Sequence, residues 1–337
     1  MKNKLINNII LTASIVVFAF ILNQYGYQNI SENLSKVGLW IFPIAGVWLL
    51  VYALNTLAFK LTANNKLNGM GFFKALSLTV SSYGLNYLTP VVALGGEVYK
   101  TNVLKEYTDT ETAASIVVNY YSIHVLSHIA FWILGGAIFI FNMELTGEYL
   151  NIIFMLGAFV LVMLGLFYLF FEKNALVPIY KNISKWIKPI KLQSKMQANL
   201  SSIEQVSSQI TGFYNDKRSK FLLATLFEFI ARIVASYEIV FIVNAIGIDM
   251  SIQNAIFFSA LSSLLLNLLF FVPMQMGSRE GIYYMIMASI GISSGVGIYI
   301  SLTTRIRELI WIMLGLVVLP INKVQVADKA PETDLIN

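Results

Sequence analysis

The 337-residue chain is 57% hydrophobic and 12% charged, with no cysteine and a formal net charge of +5. About a quarter of a soluble chain is charged, and a mean hydropathy of +0.70 is more than one soluble core of this length can hide. The composition therefore excludes a soluble globular protein and points to a polytopic membrane protein. It also excludes a disulfide framework and thiolate metal sites.

A spanning helix needs about 20 apolar residues. Leu5–Asn23 is the first such run. The basic start Met1–Lys4 precedes it, but no small-residue cleavage site follows, so it reads as a retained helix. Tyr25–Gly38 carries Ile30, Leu34 and Val37 at helical spacing around Glu32 and Lys36, which predicts a short interfacial helix. Leu39–Leu61 is the second span, and Thr62–Gly71 is a polar loop.

The apolar run after it is broken. Phe72–Tyr107 is interrupted by Ser81, Ser82, Gly84, Asn86, Thr89 and Pro90, and Gly95-Gly96 ends any helix. Short, interrupted apolar segments predict a re-entrant hairpin, here 72–107. Ala113–Phe141 and Tyr149–Phe171 are further spans. The polar segment 172–220 holds nine basic residues and an amphipathic pattern through Met196, Leu200, Ile203, Val206, Ile210 and Phe213. Phe221–Ile248 is a span carrying Glu228, Arg232 and Glu238. Ile252–Ala288 is broken at Pro273 and Gly277, predicting a second hairpin over 252–288. Gly297–Leu319, with Arg305, Arg307 and Glu308, is the last span, and 322–337 is a polar tail.

The sequence thus predicts an all-α polytopic membrane protein. It has a single membrane domain, 1–321, of about six spanning helices and two re-entrant hairpins. A cytoplasmic N-terminus puts Lys2, Lys4, Lys60, Lys66, Lys74, Lys100, Lys105, the basic loop, Lys323 and Lys329 on the cytoplasmic side, and only Lys36 outside. This is a positive-inside bias, with both termini cytoplasmic. The basic residues follow topology, which argues against nucleic-acid binding. An odd number of spans then separates the hairpins. They approach from opposite faces as an inverted repeat, the plan in which transporters hold substrate between discontinuous helices.

Each hairpin carries the same pattern. A Leu-rich run with an Asn leads to a Pro, and a carboxylate follows seven residues on, from Pro90 to Glu97 and from Pro273 to Glu280, with Gly before it. Helix ends at membrane depth leave N–H groups that suit a phosphate. The candidate substrate-binding residues are Asn86, Pro90, Gly95, Gly96, Glu97, Lys100, Pro273, Gly277, Ser278, Arg279, Glu280 and Arg305. Arg279 and Arg305 are forked donors suited to a phosphate. Glu97 and Glu280 suit an amine or hydroxyls, or a basic neighbour. Glu228 and Arg232 at i,i+4, and Arg305 and Glu308 at i,i+3, share helix faces, either as internal pairs or as a polar path. His124 and His128 share a face without a third ligand, which argues for hydrogen bonding rather than metal. The basic loop either sets topology or attracts anionic lipid.

At Asn86–Lys100, Pro273–Gly281 and Ser301–Gly315 the chain resembles the lysylphosphatidylglycerol synthase transmembrane-domain family of flippase-like membrane proteins. That family typically shows Pro, Gly-Gly-Glu and an Arg three positions on. Lys100 stands at that place here, and Asn119-Tyr120 stands where the family often has Glu-Arg. The resemblance implies translocation of a lipid or lipid-linked precursor, whether anionic, aminoacylated or polyprenyl-linked, in the cytoplasmic membrane. It also implies a stand-alone member without the fused aminoacyltransferase domain. It implies no cofactor and no catalysis by this chain, and a separate lipid-modifying enzyme as partner. The alternatives are a small-solute or ion transporter on the same plan, or an integral-membrane lipid enzyme. The isolated aspartates Asp109, Asp216, Asp249, Asp328 and Asp334 disfavour the enzyme, because metal-assisted phosphoryl transfer clusters its carboxylates.

Overall fold

The computed structural model describes residues 35–88, 95–142, 147–171, 175–186, 199–269, 275 and 277–322. The expected span Leu5–Asn23, most of the expected helix Tyr25–Gly38, Pro90, Pro273 and the tail from 323 lie outside the described residues. The described elements are all helices. They are α1 (Ile41–Ala63), α2 (Phe72–Leu88), α3 (Gly95–Leu104), α4 (Thr110–Asn142), α5 (Gly147–Phe171) and α6 (Leu176–Trp186). α7 (Leu200–Asp216), α8 (Arg218–Asn244), α9 (Ile252–Leu268), α10 (Ser278–Ser289) and α11 (Ser294–Val318) complete the set.

Local sequence fixes several boundaries. Asn64 adopts a left-handed conformation (φ 47°) and ends α1. The Asp109 carboxylate accepts the Thr112 N–H at 2.8 Å at the start of α4, and that bond holds its carboxyl below the usual range. Ser251 caps α9 by accepting from the Asn254 N–H at 3.2 Å. In the polar segment the amphipathic pattern becomes α7. The sequence reading missed α6, an amphipathic helix of 11 residues tied to α7 by Lys181–Glu204 at 2.9 Å.

The two halves run antiparallel. α1 lies along α8 with Asn64 against Lys220, Asn55 against Glu228 and Trp48 against Glu238, so their directions are opposed. The halves also exchange partners. α2 of the first half packs on α11 of the second through Ser81 and the Gly315 carbonyl. α9 of the second packs on α4 of the first, with Trp132 bonded to Ser263 and Phe139 stacked on Phe257.

Each hairpin opens toward a different end of the bundle. At one end lie Met70, Ala75, Leu104, Ala113, Phe213 and Phe221, in one apolar cluster that joins the start of α2 to the end of α3. The basic residues of that end sit together: Lys66 meets Gln209, Lys220 meets Asn64, and the Lys74 ammonium lies over the Tyr107 ring. At the other end Val37, Val243, Met250, Ala255, Met287 and Val296 form a second cluster, joining the start of α9 to the end of α10. Of the basic residues grouped on one side from sequence, Lys66, Lys74 and Lys220 thus lie at one end of the fold, with α2–α3, and α9–α10 opens at the other.

The exterior is apolar. Leu49 and Leu50 on α1, Ile133 and Phe141 on α4, and Leu161 on α5 are exposed, while Glu228, Glu238, Arg279, Arg305, Arg307 and Glu308 are buried. A soluble protein rarely exposes apolar surface on this scale, and the arrangement fits hydrocarbon outside. The helices Ser35–Ala63 and Thr110–Phe141 are long and apolar enough to cross a membrane. α5, α8 and α11, of 25, 27 and 25 residues, have the length, since a hydrocarbon core of about 30 Å needs about 20 residues.

Gly96 lets α3 lie against α2. A Cβ there would meet the Ser82 carbonyl oxygen at 2.0 Å, whereas one at Gly46 meets nothing within 4 Å. Gly96→Val is expected to destabilise the protein by about 1–3 kcal/mol or more, as overpacking does, and Gly46→Ala to change little. Thermal unfolding in detergent checks both.

Candidate functional site

The first hairpin brings its signature residues together. The Gly96 N–H donates to the Asn86 side-chain oxygen at 2.7 Å, and the Asn86 amide donates to Glu97 at 3.3 Å. The helix-start N–H expected for a phosphate is thus taken by Asn86. Glu97 and Lys100 lie one turn apart, but their charges are 3.6 Å apart. The other Glu97 oxygen, Oε2, is buried and accepts no hydrogen bond from the described residues. The buried Lys100 ammonium stands 4.5 Å from the Tyr120 ring centre and 5.4 Å from that of Phe59. Tyr120 thus supplies a cation–π partner to the lysine. Gly95 starts α3.

Facing this pair, Glu228 is fully engaged. Its Oε1 accepts from Asn55 at 2.7 Å and from Tyr120 at 2.8 Å. Its Oε2 lies 2.9 Å from His124 Nδ1, which must carry the proton because a carboxylate only accepts. Arg232 is 4.0 Å from Glu228 and spends its donors on Ser127 and the His124 carbonyl.

The second hairpin is tighter. The Gly277 N–H donates to Glu280 at 2.8 Å, so this helix start is capped by its own carboxylate. Gly277 has φ +75°, a conformation that favours glycine. The other Glu280 oxygen accepts from Arg305 at 2.8 Å and from Ser301 at 2.9 Å. Arg279 contacts both oxygens of Glu308 at 2.9 Å and donates to Gln275 at 2.8 Å. Ser278 carries a buried hydroxyl without a hydrogen-bond partner among the described residues. The in-helix pairing expected for Arg305 and Glu308 does not form. Both reach across to α10, Glu308 accepting on both oxygens from Arg279 Nη1 and Arg305 donating through Nε and Nη2 to Glu280 Oε1.

Sequence reading missed the centre of the molecule. Arg307 makes a two-bond contact with Glu238 at 2.8 and 3.0 Å, between α11 and α8. The Trp48 indole N–H donates to Glu238 at 2.8 Å, and its ring lies 3.8 Å from the guanidinium. Arg307 also donates to the Tyr83 hydroxyl at 3.2 Å. The missed signal was available. Neither Arg307 nor Glu238 has an opposite charge three or four residues away, so each needed a partner on another helix.

Two polar cavities flank this centre. One, of about 330 Å³, is lined by Asn86, Glu97, Lys100, Tyr120, His124 and Glu228, among others. The second, of about 200 Å³, is lined by Glu238, Ser262, Tyr283, Thr304, Arg307 and Glu308, among others. They share Trp48, Arg232 and Ala235. Arg279 and Arg305, expected to hold a phosphate, line neither cavity, and both are held by carboxylates.

The family profile described as the lysylphosphatidylglycerol synthase TM region matches residues 7–315. The chain belongs to this family. Comparison with curated proteins and with solved structures gives no match. Membership makes the chain a membrane domain and suggests a lipid-related or transport role.

Breaking a buried pair by removing one partner costs about 3–5 kcal/mol, whereas replacing both by apolar groups is often neutral. Arg307→Met is expected to lower stability by about that amount, and the double variant Arg307→Met/Glu238→Met to recover most of it. Thermal unfolding of the three proteins in detergent measures the difference.

Proposed function

We propose that this protein translocates a lipid or lipid-linked precursor across the cytoplasmic membrane. The observation that carries this reading is the pair of polar cavities, one beside each hairpin, that meet at Trp48 and Arg232. On this reading α2–α3 and α9–α10 are re-entrant hairpins, the basic end faces the cytoplasm, and both termini lie on that side. The headgroup crosses through the cavities while the chains stay in hydrocarbon.

The first cavity is the binding site for the headgroup. A buried ion pair at 3.6 Å, with a carboxylate oxygen that accepts no hydrogen bond from the described residues, is under-satisfied compared with the 2.8–2.9 Å pairs of the second half. A ligand that donates to Glu97 and accepts from Lys100 would complete it. The arginine pairs of the second half fix the fold instead. The chain performs no catalytic step on this reading, and a separate enzyme makes or modifies the lipid.

Reconstitution into vesicles with a labelled lipid is the test. Charged hydrogen bonds are worth about 1.5–3 kcal/mol, so Glu97→Gln or Lys100→Met is expected to slow transbilayer movement about 10- to 100-fold, and the double variant Glu97→Gln/Lys100→Met, which leaves no charge of the pair unmatched, to slow it as much with an unfolding temperature closer to the parent's. Unchanged movement of anionic, aminoacylated and polyprenyl-phosphate lipids over protein-free vesicles would sink the proposal.

A further inference from the structure

A third cavity, of about 320 Å³, lies outside the polar centre, between α4, α5 and α9. Its walls carry no charged and no hydroxyl side chain. Glycines shape it. Gly135 brings α4 against α9, where an added Cβ would meet the Ala260 Cβ at 2.3 Å. Gly136 and Gly157 do the opposite: a Cβ at either meets nothing within 4 Å. Both line the cavity, so the absence of their side chains leaves this space open.

The length and position of the groove narrow its occupant. Along α4 it runs from Trp132 to Ile140, toward the end of the bundle where α9–α10 opens. Eight helical steps cover about 12 Å, close to the roughly 15 Å of hydrocarbon in one leaflet. Its inner end is the bond from the Trp132 indole N–H to the Ser263 hydroxyl at 2.9 Å. Ser263 and Phe131 line the second polar cavity, while Trp132 and Leu264 line the groove. The two spaces therefore back onto one ridge. In a bilayer the apolar matter within reach is hydrocarbon chain.

We infer that this groove, at the depth of the leaflet opposite the basic end, holds one acyl chain of the transported lipid while its headgroup stands in the second polar cavity, across the Trp132–Ser263 ridge. The inference rests on the lipid-translocation reading and adds the place where the chain is recognised. Hydrocarbon outside most of the bundle is interchangeable solvent. Here it fills a walled site, so chain length and bulk become part of substrate selection.

The test uses phosphatidylglycerol bearing a diazirine on one palmitoyl chain, in vesicles holding the full-length protein. After irradiation, labelled residues are mapped by mass spectrometry. Labelling is expected to concentrate at Phe139, Leu261 and Leu264 over the exposed Leu49 and Leu50 of α1. Gly136→Leu and Gly157→Leu, whose new side chains enter open space, are expected to lower groove labelling about tenfold, the effect of about two methylene groups left out of an apolar site. The same variants should slow transbilayer movement of the palmitoyl lipid and spare a short-chain analogue with the same headgroup. Even labelling across α1 and α4, or equal slowing of both analogues, overturns the inference. Concentrated labelling without transbilayer movement in the parent protein keeps the groove and removes the translocation reading.

Discussion

A charge inside an apolar bundle has to be matched, and that constraint organises this protein. Arg307 of α11 and Glu238 of α8 meet in a two-bond contact under the Trp48 ring of α1. Isolated in hydrocarbon, either would cost at least a few kcal/mol; together they tie three helices at the centre. Glu308 continues the network to Arg279, and Glu280 joins Arg305. The second half thus holds its hairpin by ion pairs between helices. These charges are why α8 and α11 are less apolar than α1 and α4.

The first half is built on the same plan but is not closed in the same way. Its hairpin carboxylate, Glu97, faces a lysine at 3.6 Å, and aromatic rings surround that lysine. The nearby Glu228 is held by Asn55, Tyr120 and His124 rather than by Lys100. The two halves therefore differ in electrostatic slack. One is locked by short ion pairs between helices, and the other keeps a loose pair beside the larger polar cavity.

Much of the fold was legible in the sequence, for identifiable reasons. Broken apolar runs around Gly95-Gly96 and Gly277 marked both hairpins, because helix breakers within apolar runs are conspicuous. The distribution of lysines marked one end of the bundle, and the structure gathers Lys66, Lys74 and Lys220 there. The site was only partly legible. Asn86, Glu97 and Lys100 do come together in one cavity, since they are local in sequence. Arg279 and Arg305 were assigned to a ligand but are held by Glu308 and Glu280. Spacing along one helix cannot show which distant helix supplies a partner, and that hid Trp48, Tyr83, Glu238 and Arg307. The α6 helix was hidden by a lysine-rich segment read for its charge rather than its period.

The opposed hairpins are the claim on which the rest stands, since a translocation path needs openings at both membrane faces. The chain has no cysteine, so a single introduced one reports cleanly. Asn68→Cys, in the loop leading into α2, and Ser293→Cys, in the turn after α10, can each be treated with a membrane-impermeant maleimide in intact cells and in inverted vesicles. The account predicts that Ser293→Cys reacts in intact cells and Asn68→Cys only in inverted vesicles. Reaction of both from the same side would contradict it.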